Sequence, residues 1–125
     1  MTAKTILLIA AILGLLSVAI GAFGAHGLES TLQANKRLDT FETAVKYQFY
    51  HTLALFLIGL LMLNYTDAYF SYAGWSMLAG ISIFSGSLYV LSLTNITWLG
   101  AITPIGGLAL MLGWLFVFLG VWRSL

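Results

Sequence analysis

Outside residues 25–48 the chain carries only three charged side chains, Lys4, Asp67 and Arg123. The other six, Glu29, Lys36, Arg37, Asp39, Glu42 and Lys46, share that one segment. Soluble domains carry about 25% charged residues; this chain of 125 residues carries 7%, against 61% hydrophobic. A soluble globular domain and a disordered segment are both excluded. A net charge of +1 provides no basic patch for phosphates, which excludes a nucleic-acid partner. There is no cysteine, hence no disulfide, thiolate metal site or cysteine nucleophile. The chain reads as a small integral membrane protein.

A helix needs about 20 mostly apolar residues to cross the hydrocarbon core. Stretches of that kind lie at about 5–23, 49–63, 72–93 and 105–122. The second is short, which predicts a start earlier, inside the polar segment before it. Backbone polar groups in lipid must be satisfied within the protein, and a helix does this segment by segment. No alternating pattern of a transmembrane barrel is present. The expected fold is therefore all-α: one membrane domain over residues 1–125, built as a four-helix bundle. Thr103-Pro104 suits a helix start, because Thr can cap and Pro fits the first helical position. Asn64–Asp67 forms a polar turn. Tyr65, Tyr69, Tyr72 and Trp75 lie near that interface, and Trp98 and Trp122 near other span ends, as in an aromatic belt.

Within the charged segment, Arg37–His51 reads as helical. Leu38, Phe41, Val45 and Phe49 recur at spacings of three and four and predict one apolar face. Glu42 and Lys46 stand i,i+4 in the order that favours an ion pair. The reading is an amphipathic helix at the membrane interface, between spans one and two and running into span two. Loop one carries Lys36, Arg37 and Lys46, against Lys4, Arg123 and the terminal amine opposite; the positive-inside rule weakly places it in the cytoplasm. Lys4, the apolar run and Ala22-Phe23-Gly24 also match the outline of a cleavable signal peptide, although the run is long enough to span.

Two stripes of small residues stand out. Ala10, Gly14, Ser17, Gly21 and Ala25 line one side of span one, and Gly106, Gly113 and Gly120 repeat every seven residues in span four. Small residues let helix backbones approach closely where lipid gives no hydrophobic drive. They serve either packing within the chain or a homo-oligomer interface.

Four spans place the end of span one, the start of span two, the end of span three and the start of span four on one membrane face. The chemically distinctive runs all lie there: Gly-Ala-Phe-Gly-Ala-His-Gly-Leu (21–28), Tyr47 to His51, Phe-Ser-Gly-Ser-Leu-Tyr (84–89) and Thr-Pro-Ile-Gly-Gly (103–107). In these runs, with Trp114, the sequence resembles the "domain of unknown function 423" family of small bacterial membrane proteins, to which transmembrane protein 256 of animals is similar. The resemblance covers almost the whole chain. It implies a four-span protein of a bacterial membrane, placed here in the cytoplasmic membrane, and carries no activity, cofactor or catalytic residue with it.

The candidate binding face comprises His26, Glu29, Glu42, Tyr47, His51, Ser85, Tyr89, Thr103, Gly106 and Gly107. His26 and His51 are the only histidines; they could ligate a haem iron, or a metal together with Glu29 or Glu42, or serve as hydrogen-bonding groups at helix ends. No cofactor is required by any motif. Ser82, Ser85 and Tyr89 share a face of span three, and either bond to neighbouring helices or line a route for a small solute. Gly106-Gly107 could bare helix N-terminal amides toward a lipid phosphate, or pack closely against Phe84–Tyr89. No catalytic motif of a hydrolase and no phosphate loop occurs. The leading expectation is a non-enzymatic scaffold or accessory protein that binds a membrane lipid or partner membrane protein on the loop-one face. The alternatives are a small oligomeric channel or permease, and a haem or metal protein.

Overall fold

The computed structural model describes all residues 1–125, and its regular elements are all helical. The first span is a continuous rod, Ala3–Gly27. It consists of α1 (Ala3–Val18), a π-wound stretch (Ala19–Gly24) and a terminal turn, α2 (Ala25–Gly27). A short helix α3 (Glu29–Ala34) crosses the loop-one end. The other spans are α4 (Leu38–Leu61), α5 (Ala68–Thr94) and α6 (Thr103–Ser124), the last preceded by a 3₁₀ turn at Thr97–Ala101. Four helices are thus long and apolar enough to cross a membrane. The stretch that a signal-peptide reading would discard supplies Ile6 and Ala10 to the central core.

The second span is one unbroken helix of 24 residues, about 36 Å long at 1.5 Å per residue. It begins at Leu38, well before the apolar stretch, because a helix satisfies its own backbone whatever its side chains. The amphipathic segment is its first half. Its buried side is Phe41, Ala44, Gln48 and His51, while Asp39, Glu42 and Lys46 are exposed. The inward face is therefore turned from the expected stripe: Phe41 is buried, Leu38 and Val45 are half-buried, and Phe49 is exposed. What it packs on is the third span rather than the membrane surface. The third span likewise starts early, at Ala68, because the Asp67 carboxylate accepts from the Tyr69 N–H at 2.9 Å and caps the helix.

The two glycine stripes account for the packing. A Cβ at Gly106 would collide with the Phe84 backbone; at Gly113 it would lie 2.9 Å from Met77, and at Gly120 2.8 Å from Phe70. Between them Leu110 fills the space over Gly80. The glycines of α6 and their partners on α5 both recur every seven residues, in opposite directions. This is an antiparallel coiled-coil seam in which each layer sets a small residue against a large one. The first span packs on the second the same way, with Leu7 at Gly59, Gly14 at Thr52 and Gly21 at Val45. Both stripes thus make contacts inside the chain, that of the fourth span along its length and that of the first span through Gly14 and Gly21.

Polar ties close both ends. At the loop-one end the Asn35 amide donates to the carbonyls of Ser92 (3.0 Å) and Leu93 (3.3 Å), and Arg37 Nε donates to Asn95 Oδ1 at 2.9 Å. At the other end Arg123 pairs with Asp67 at 2.9 Å, and the terminal ammonium donates to Ser71 Oγ at 2.9 Å.

The glycine seam makes a contrast testable at adjacent positions. Gly106→Ala must displace Phe84 backbone and is expected to destabilise by about 1–3 kcal/mol. Gly107→Ala meets the Phe84 ring only at 3.8 Å, and Ala favours a helix by about 1 kcal/mol, so it should be neutral or stabilising. Reversible unfolding in mixed micelles measures both.

Candidate functional site

The inner half of the loop-one end is a polar seam between spans. Gln48 lies on the buried side of α4, one turn beyond Ala44. Its amide donates to the Leu13 carbonyl of the first span at 3.3 Å, and its oxygen accepts from the Tyr89 hydroxyl of the third. One side chain thereby links three spans. Beside it Ser85 Oγ donates to the Ala44 carbonyl at 2.7 Å, and Phe41 packs on Tyr89 with ring centroids 5.5 Å apart. Thr103 and Ser87 share a hydroxyl hydrogen bond of 2.7 Å that joins the fourth span to the third.

A second group is aromatic. Tyr47 lies 4.7 Å from the Phe84 ring and stacks over His51 at 5.9 Å, and Trp114 meets the edge of His51 at 6.2 Å. The buried His51 donates from Nδ1 to the Tyr47 carbonyl at 2.7 Å. Gly106 is buried against the Phe84 backbone and Gly107 meets the Phe84 ring at 3.8 Å, the close packing that the sequence offered as one use of this pair.

The sequence-derived face is therefore only partly one site. Tyr47, His51, Ser85, Tyr89, Thr103, Gly106 and Gly107 meet through Gln48 and Phe84. His26, Glu29 and Glu42 are exposed outside it. Glu29 accepts from Gln33 at 3.3 Å. The histidines are far apart in depth: Gly24 packs over Phe41, and His51 lies ten residues further along α4, about 15 Å at helical rise. They cannot share one iron or metal within a chain. Ser82 is exposed and bonds back to the Leu78 carbonyl, whereas Ser85 and Tyr89 are committed inside the bundle. The three do not line a common route.

The open feature of this end is a groove between residues 17–25 of the first span and 41–50 of the second, with a cavity of about 400 Å³ toward its outer end. Gly21, Ala22 and Ala25 form one wall; Val45, Phe49 and Tyr50 form the other. Here the first span is π-wound, with the Ala25 N–H bonded back to the Ile20 carbonyl, and its side chains are too small to fill the angle between the helices. Such wide turns are rare and recur at functional sites. Lys46 and Glu42 stand on the groove. The expected ion pair between them is not formed, since the chain's single ion pair is Arg123–Asp67. Sequence reasoning missed Gln48 and Lys46 as site residues. Gln48 is the only amide between Asp39 and Leu63, and it stands on the buried side of α4 with His51 and Thr52.

Fold and site together define a small multi-pass integral membrane protein with its polar chemistry gathered at one end. Residues 20–107 match the family model described as "Protein of unknown function (DUF423)", and the chain belongs to that family. The matched stretch takes in the groove from Ile20 onward, Gln48 with Tyr89, and the Thr103–Gly107 start of α6. The chain is 45% identical over 120 residues to a UPF0382 membrane protein of Staphylococcus haemolyticus, covering 96% of this chain and 97% of the relative. It is 46% identical over 115 residues to UPF0382 membrane protein YwdK of Bacillus subtilis, covering 91% and 93%. A relative from Staphylococcus saprophyticus is 44% identical, covering 96% and 98%. None of these descriptions states an enzymatic activity. No solved structure matches the chain.

The Gln48 bridge has a measurable cost of removal. Interhelical hydrogen bonds in membranes average about 0.6 kcal/mol each, with a maximum near 1.7. Gln48→Leu is expected to destabilise by about 1–2 kcal/mol and Tyr89→Phe by roughly 0.6. The double variant should cost less than the sum, because the two side chains share one bond. Additive losses in a double-mutant cycle would show that the two side chains are not coupled.

Proposed function

We propose that the chain is a non-enzymatic membrane accessory protein that holds a bilayer lipid at its loop-one end, in the groove between its first two spans. The single observation that carries this reading is Lys46. It is an ionisable residue level with the contact between Gly21 and Val45, several residues inside the span, beside an apolar groove and without an internal counter-ion. Charged side chains at such depth are costly and are kept where they meet a ligand, a partner or water. The groove walls are apolar like an acyl chain, and the cation stands where a headgroup phosphate would. The ties of Asn35 and Arg37 to the end of the third span favour a fixed, preformed mouth.

The groove can be filled without cutting a seam, because Ala22 is exposed on its wall. Native mass spectrometry of wild-type protein released from a mild detergent is expected to retain one phospholipid per chain. Ala22→Trp should lose that lipid while keeping its unfolding midpoint. A wild-type protein stripped bare under conditions that preserve the fold, or a tryptophan variant that keeps the lipid, would refute the reading.

A further inference from the structure

The groove carries its chemistry in an order. From the membrane centre outward along α4, it presents Tyr50 and Phe49, then Lys46, then Glu42. Lys46 and Glu42 are four residues apart, about 6 Å along the axis. Side chains on a helix lean toward its N-terminus, and the N-terminus of α4 is the loop-one end. Both charged side chains are thereby directed toward the headgroup layer, with Lys46 rooted about one turn deeper than Glu42. Neither is paired within the chain.

A phospholipid has the same order: acyl chain, phosphate anion, then headgroup. A purely anionic headgroup would satisfy Lys46 and leave Glu42 facing hydroxyls or a second negative charge. A headgroup ending in a primary ammonium satisfies both. Its two-carbon link between phosphate ester and nitrogen is commensurate with one helical turn, and its N–H groups can donate to a carboxylate, which a quaternary amine cannot. Hydrogen bonds to charged groups are among the strong ones. We propose that the groove selects phosphatidylethanolamine, with Lys46 on the phosphate and Glu42 on the ammonium. This rests on the lipid-holding reading above.

The test uses the full chain in nanodiscs of equimolar phosphatidylethanolamine, phosphatidylglycerol and phosphatidylcholine, followed by native mass spectrometry of the lipid that stays bound. Wild type is expected to retain phosphatidylethanolamine about tenfold above its bulk share. Glu42→Gln should still hold a lipid but lose that preference. Lys46→Gln should hold none above background. Both residues are exposed, so an unchanged unfolding midpoint verifies the fold of each variant. Retention in bulk proportions, a preference for phosphatidylglycerol, or an unchanged preference in Glu42→Gln would overturn the selectivity while leaving lipid holding intact. A wild type that holds no lipid at all would remove both.

Discussion

Helices in a bilayer gain nothing by hiding apolar surface from one another, because lipid tails are as apolar as leucine. This bundle depends instead on how closely its backbones approach. Gly106, Gly113 and Gly120 let the fourth span settle onto Phe84, Met77 and Phe70, and Gly80 returns the space to Leu110. Because large and small residues alternate sides, a slip of one turn would set large against large in one layer and small against small in the next. The seam thus fixes both distance and register. Leu7 at Gly59, Gly14 at Thr52 and Gly21 at Val45 do the same for the first two spans.

The seam between the first two spans also explains where the site lies. Toward the loop-one end its contacts are Gly21 on Val45 and then the lighter one of Gly24 on Phe41. There the first span is π-wound, over Ala19–Gly24, and Gly21, Ala22 and Ala25 are too small to fill the angle beside Val45 and Lys46. The third span, by contrast, stays locked to the second through Gln48, Tyr89 and Ser85. A central pair of helices tied by side-chain hydrogen bonds therefore stands beside one that meets it at the loop-one end only through small residues. The groove is the consequence, and Lys46 and Glu42 stand on its wall.

Much of the fold was legible in the sequence. The chain is nearly free of charge outside residues 25–48, which leaves little choice but four spans, and the seven-residue glycine repeat announced a packing stripe. The face of α4 was less legible. The sequence weighted Leu38, Phe41, Val45 and Phe49 by hydrophobicity, but in lipid the inward side is chosen by fit and hydrogen bonding. Gln48 accordingly points in and Phe49 out. Topology alone gathered the candidate residues toward one end of the bundle. Which of them touch was not readable, since that depends on depth: Tyr47 and His51 lie beside Phe84 and Trp114, while His26 stays at the water end. Glu42 and Lys46 had the spacing of an ion pair and do not form one, because i,i+4 spacing permits a contact without enforcing it.

The central claim is that the space between the first two spans belongs to a lipid and not to another protein. Phe49 lines that space and is exposed to whatever fills it. Replacing it with a photoreactive phenylalanine analogue, irradiating intact cells and weighing the purified adduct tests the claim directly. An adduct with the mass of one phospholipid is the expected result. Cross-links to another polypeptide alone would contradict it.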